Sequence, residues 1–280
     1  MLKLIINADD FGYSEKVNEA IFKSFRYGIL RSASLMANGK SFDHAVEMIR
    51  SNHELDIGIH LTLVKEKPVL NSEKLHSLVN DSGHFPKHAI DFAKKYFSDK
   101  ISLVEVRKEL TAQFEKLLDC GIKISHIDSH QHLHILPKIL DIIIEMANHY
   151  NIKYIRLPKE VFNFYTMLEL KPSILRLIQM ATLNHFCSKA ENKISFRAEF
   201  FTGFYFGGRL SKQNLITLIN NLPLNGTCEL MCHPGLEEFS DNFSSQYRKI
   251  EEAETLMDQE IERLIKFKNI EIASFRNLND

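Results

Sequence analysis

Short apolar runs alternate with longer amphipathic segments along almost the whole 280-residue chain, and this alternation restricts the fold more than any other feature. "LKLIIN" reads as a strand, and "SEKVNEAIFKSFRYG" as a helix with Ser14 as N-cap and Gly28 as its stop. "ILRSASLMA" and "LDIGIHLTL" are further strands around the helix "SFDHAVEMIRS". The stretch from about Lys65 to Lys100 reads as loop, with turn signals in "KPVLN" and "NDSGHFPKH". Ser102 and Glu105 form a capping box ahead of Leu103, Val106, Leu110, Phe114, Leu117 and Leu118 at helical spacing. "IKISHID" is then a strand, "PKILDIIIEMANHY" a helix with Pro137 in its first turn, and "KYIRLP" a strand. Residues 160–200 read as mostly helical, and "FRAEFFTGFYFGG" stays unassigned. "SKQNLITLINNL" is a helix, "GTCELMCHP" a strand, 246–267 one helix and "IEIASF" a final strand.

Strand and helix in strict turn imply a parallel sheet with helices outside. Seven or eight such units favour closure, and no GxGxxG or P-loop follows the first strand. The expected fold is therefore α/β, an irregular TIM-like (β/α) barrel of seven or eight parallel strands, in one domain over 1–280.

The bulk composition narrows the partners. A formal charge of −1 with no Lys/Arg stripe gives no reason to expect nucleic acid. No apolar run reaches membrane-span length. "MLKLIINADDFG" carries no signal-peptide cleavage pattern, and Cys120, Cys187, Cys228 and Cys232 form neither a CxxC pair nor a disulfide framework. A cytoplasmic location is the expectation.

Period-two alternation sorts the polar residues. In "LDIGIHLTL" the odd positions 55–63 are aliphatic, so Asp56, Gly58, His60 and Thr62 look into the barrel. By the same rule Glu229 and His233, and Tyr154 and Arg156, face inward. His126, Asp128 and His130 share a face if their strand stays extended. Asp9, Asp10, His60, Asp128, His130, Arg156 and His233 thus fall near the C-terminal ends of five strands, where barrel enzymes place their chemistry.

"HIDSHQHLH" concentrates four histidines in nine positions. Odd–even geometry and Pro137 splay them, so they cannot all bind one ion. The others of His126, His132 and His134 are expected to orient ligands or contact substrate. One aspartate with two histidines leaves coordination positions open, and imidazole with carboxylate suits Zn, Fe, Co or Mn. Such an ion lowers the pKa of a bound water to roughly 7 and polarises a carbonyl.

"INADDFGYSEKVNEAI", "GIHLTLV", "HIDSHQHLHILP", "YIRLP" and "MCHPG", in this order, closely resemble the YdjC-like carbohydrate deacetylases, which include chitooligosaccharide deacetylases. The likeness runs from near residue 1 to the last helix and is weakest over 160–225. It implies a deformed barrel related to the polysaccharide deacetylase group, and removal of acetyl from an N-acetylated sugar or oligosaccharide. It implies a divalent metal, given as magnesium, on Asp10, His60 and His130. Asp9 becomes the general base, His233 the general acid, and Arg156 positions Asp9 or the substrate. Strand parity places Asp9 and Asp10 on opposite faces, leaving open which one meets the ion. Magnesium prefers oxygen ligands, so zinc or another transition ion stays in play.

Two rivals share these residues: a metal hydrolase of another amide, ester or phosphoester, and a non-catalytic sugar-binding barrel. "FFTGFYFGG" reads as core, as the wall of a sugar groove, or as a contact in a homodimer.

Overall fold

The sheet is organised on β1 (Leu2–Phe11), where Leu2, Leu4, Ile6 and Ala8 join the main core and Ile5 a separate interior cluster. In the computed structural model, which describes residues 1–160, 174–237 and 247–279, β1 pairs along one edge with β7 (Gly226–Cys232), from Leu2↔Gly226 to Ala8↔Cys232. Its other edge is shared. β8 (Glu271–Ala273) takes Lys3–Ile5, and β2 (Ser32–Leu35) takes Asn7, Ala8 and Phe11.

From β2 the sheet continues through β3 (Asp56–Leu61), β4 (His126–Ser129) and β5 (Tyr154–Ile155), and from β7 to β6 (Phe200–Thr202). All pairs are parallel, in the order β5-β4-β3-β2-β1-β7-β6, with β8 joined to β1 alone. Among the described residues, the seam between β5 and β6 is crossed by the bridge Glu160↔Phe201 and by the bond from Ile155 N–H to Phe196 O at 3.1 Å. The architecture is the irregular TIM-like barrel expected from the alternation.

Helices coat the outside. In α1 (Glu15–Tyr27), Ser14 Oγ accepts from Val17 N–H. α2 (Phe42–Arg50) follows. α3 (Ala89–Phe97) lies inside the stretch read as loop. It is held by one buried side chain, Phe92, and by Gln131 Oε1, which accepts from Ala89 N–H at 2.8 Å, so tertiary contact rather than periodicity fixes it. In α4 (Leu103–Asp119) Ser102 Oγ caps Glu105 N–H as expected, but the Glu105 carboxylate turns to Ser77 instead of closing the box. α5 (Pro137–His149), α6 (Ile174–Ala190) and α7 (Lys212–Asn221) follow. The single helix expected over 246–267 is two, α8 (Lys249–Leu256) and α9 (Gln259–Phe267). Asp258 breaks it, its carboxylate accepting from Glu260 and Ile261 N–H. The helical reading of 161–173 lies outside the described residues.

The main core fills the space between sheet and helices. A separate cluster of Ile5, Tyr154, Ala273 and Phe275 plugs the barrel interior, below the polar residues of β1, β3, β4 and β7. Among the described residues no helix is long and apolar enough to cross a membrane, and the four cysteines are free.

Candidate metal and catalytic centre

The residues expected to converge do so, in layers rising from the apolar plug. His126 lies lowest, its ring stacked 4.0 Å from that of Phe275. Gly58 makes room for it: a Cβ there would stand 2.3 Å from the imidazole. His126 Nε2 donates to Ser34 Oγ at 3.0 Å, while the Ser34 hydroxyl goes to Asp128 Oδ2 at 2.7 Å. Asn7 Nδ2 donates to Ser34 Oγ and to Asp9 Oδ1. Burial takes the His126 pKa down to about 4, against the upward pull of Asp128 and Asp56.

Arg156 occupies the centre, fully buried. Its Nη1 and Nη2 donate to Asp9 Oδ2 and Oδ1, and its Nε to Glu229 Oε1, each at 2.7 Å. Nη2 also lies 2.7 Å from Asp128 Oδ2. Burial works against this cation, but Asp128, Asp9 and Glu229 outweigh it and hold the guanidinium well above its ordinary pKa. Burial also lifts Glu229 to about 7, against the opposing pull of Arg156.

Above this layer lies the metal-like group. His60 and Asp128 are register partners on adjacent strands, and His60 Nδ1 donates to Asp128 Oδ1 at 2.7 Å. His130 Nδ1 donates to Asp10 Oδ1 at 2.9 Å, and His60 Nε2 stands 3.4 Å from that same oxygen. A carboxylate can only accept, so both rings carry the proton on Nδ1 and turn the Nε2 lone pair outward when neutral. Among the described residues, Nε2 of His60 and of His130 are buried and find no hydrogen-bond partner. Asp10, His60 and His130 can each offer one ligand atom, all within 4.8 Å of one another. Asp9, His60 and Asp128 also lie that close, but Arg156 already engages both carboxylates.

The electrostatics fit a cation. Burial opposes charge on His60, yet Asp128, Asp9 and Asp10 raise it to about 10. Burial likewise opposes ionisation of Asp10, and His130 and His60 overcome it, holding the carboxyl well below its usual range. A pocket that binds an extra proton this firmly has surplus negative charge, which an ion on the same imidazole would also meet. Among donors, two imidazoles and one carboxylate match zinc, manganese or cobalt better than magnesium.

Two backbone distortions build the site. Asp10 has φ 64°, in the left-handed region, and the β1–β2 register shifts between Ala8 and Phe11. This bulge cancels the strict alternation, so Asp9 meets Arg156 while Asp10 meets His130. β4 stops at Ser129, before His130, and Gln131 and His132 are both left-handed, with φ of 55° and 56°. The extended strand supposed for 126–130 therefore ends in a turn that re-aims His130.

His134 locks the turn: Ser129 Oγ meets its Nδ1 at 2.7 Å, and its Nε2 donates to the Arg156 carbonyl at 2.9 Å. His132 packs edge-on to Phe201. His233, at the end of β7, is buried with its ring 5.2 Å from Tyr247. Burial lowers it to about 4, while Asp9 and Asp10 pull it upward. Of the aromatic run, Phe201, Tyr205 and Phe206 are core, and Phe204 is half-buried beneath Arg176. Sequence reasoning passed over Asn7 and Ser34, although the alternation of "SASL" already turned Ser32 and Ser34 inward.

The chain is similar to known proteins over nearly its whole length. The family described as YdjC-like protein matches residues 3–266. A carbohydrate deacetylase of Clostridium beijerinckii is 32% identical over 279 residues, covering 99% of this chain and 100% of that protein. One of Geobacillus stearothermophilus is 30% identical over 274 residues, covering 97% and 96%. A crystal structure from Enterococcus faecalis, described as a cellobiose-phosphate cleavage protein, superposes with a TM-score of 0.75 at 27% identity, covering 99% of this chain and 98% of that one.

Proposed function

The chain belongs to the YdjC-like protein family, and on that footing we propose that it is a metal-dependent carbohydrate deacetylase, hydrolysing the acetamide of an N-acetylated sugar or short oligosaccharide. The observation that carries this reading is the meeting of Asp10, His60 and His130 beside an Arg156-clamped Asp9. Asp10, His60 and His130 would hold one divalent ion, and Asp128 would orient His60 from behind. Bound there, the ion supplies a Lewis acid for the acyl carbonyl and the attacking water.

The remaining work falls to the chain. Arg156 fixes Asp9 in direction, so Asp9 can take the proton of the water whose oxygen bonds to the acyl carbon. The C–N bond then breaks, and His233 gives the departing nitrogen its proton. Burial lowers the His233 pKa to about 4, and Asp9 and Asp10 pull against it, toward the protonated form that the donor role requires. Phe204, a half-buried ring on the loop after β6 and beside His132, is suited to wall the sugar.

The test is to incubate metal-loaded protein with N-acetylglucosamine, diacetylchitobiose and longer oligomers and to detect the lost acetyl group by mass. Acetate release that chelator abolishes is expected, with losses of about 10² to 10⁴ in Asp9→Asn and His233→Ala. Near wild-type rates in both variants would overturn the assigned roles. Sugar binding without acetate release under any metal would favour a non-catalytic barrel.

A further inference from the structure

α8 delivers a fully buried carboxylate, that of Glu252, which the chemistry above does not use. Its Oε2 accepts from the backbone N–H of His233 at 2.5 Å, and its Oε1 from that of Leu210 at 2.9 Å. Glu252 therefore ties the end of β7, where His233 begins, to the glycine loop after β6. The same loop is held twice more from the α8 side. Arg248 N–H donates to Gly208 O at 2.8 Å, and the Tyr247 ring lies against Gly208, where an added Cβ would stand 2.4 Å from it. Gly208 has φ +77°, so the loop needs glycine there on both counts. Tyr247 is in turn the ring that flanks the His233 imidazole.

We infer that Glu252 is a positioning residue for His233: its carboxylate fixes the backbone from which the imidazole springs, against a loop and a ring anchored on the same helix. This rests on the deacetylase reading only for its kinetic consequence. Two N–H donors approach two different oxygens, so an amide at this position would leave one donor facing an NH₂ group. A carboxylate accepting two buried N–H groups has no neutral substitute of the same shape. Sub-ångström drift of a proton donor is costly, because transfer needs a heavy-atom approach near hydrogen-bond length.

The experiment uses the full chain loaded with zinc, ¹⁵N-labelled at histidine, with His233 signals identified through His233→Ala. In Glu252→Gln the His233 ring and amide resonances are expected to move while those of His60 and His130 stay. On an N-acetylated sugar kcat should fall about 10- to 100-fold, with KM within roughly twofold. Glu252→Asp, which keeps the charge but retracts it by one methylene, should recover part of that loss, and it stands in if the Gln variant does not fold. Glu254→Gln, exposed on the same helix, should match wild type. Unmoved His233 resonances, or a kcat loss that merely follows the folded fraction, would overturn the inference. If wild-type protein releases no acetate at all, the deacetylase reading fails and the resonances alone decide the role of Glu252.

Discussion

Arg156 grips Asp9 with a two-pronged ion pair, each Nη atom 2.7 Å from a different carboxylate oxygen, and both side chains are buried. The same guanidinium also meets Glu229 and Asp128, so three carboxylates depend on one cation. Arg156→Met should cost about 3–5 kcal/mol of stability, because it strands buried charges rather than merely deleting a contact. Urea unfolding at neutral pH measures it, and a loss below about 1 kcal/mol would mean that the carboxylates neutralise one another through shared protons.

Asp10 combines an unusual backbone with the ligand role proposed for it, and substitutions can separate the two. Asp10→Asn tolerates φ 64° and should fold like wild type while losing most metal affinity in calorimetric titration. Asp10→Val should lose that affinity and destabilise the fold by about 1–2 kcal/mol, since a β-branched residue is strained in the left-handed region. Equal stability of the two variants would show that the bulge carries no strain.

Asp128 faces His60 from the side away from the proposed ion site. Asp128→Asn should weaken metal binding by about 10- to 100-fold without removing a ligand. Unchanged affinity would mean that Asp128 serves Arg156 alone.

The His60 pKa of about 10 gives the metal-free protein a distinct pH response. A folded pKa above the unfolded value of 6.5 means that the native state holds the extra proton. The associated stability is fully present below 6.5 and is lost as pH rises toward 10. Between roughly pH 7 and 9 the unfolding free energy should fall with a slope approaching one proton, and His60→Gln should flatten it. Zinc affinity should rise over the same interval, as the competing proton leaves. A flat profile in metal-free wild type would refute the negative environment assigned to His60.

Gly58 faces the His126 ring with no space for a methyl group. Gly58→Ala should destabilise by about 1–3 kcal/mol and disturb the Ser34–Asp128 link, read by thermal unfolding and by the His126 imidazole signal. A neutral effect would mean that the ring can slide along Phe275.

How far the sequence disclosed this arrangement depended on whether the chain stayed regular. β3 is regular, and there parity alone placed His60, Gly58 and Asp56 inward. β7 behaved likewise, giving Glu229 its place beside Arg156. Parity failed where the site bends the chain: at Asp10, whose positive φ restores it to the face of Asp9, and after Ser129, where two left-handed residues replace the strand. Neither distortion has a glycine to announce it. α3 and the α8–α9 break escaped for a different reason, because Gln131 and the Asp258 cap act on backbone groups and leave hydrophobic periodicity unchanged.

β1 carries both acids of the centre, yet the strand on one of its edges comes from residues 226–232 and part of its other edge is completed by 271–273. β1 is therefore fully paired only once segments far along the chain have folded onto it. Such pairing is non-local in the sense that slows folding and prolongs exposure of apolar edges. The placement of β1 thus bears on how the chain folds as well as on the acids it carries.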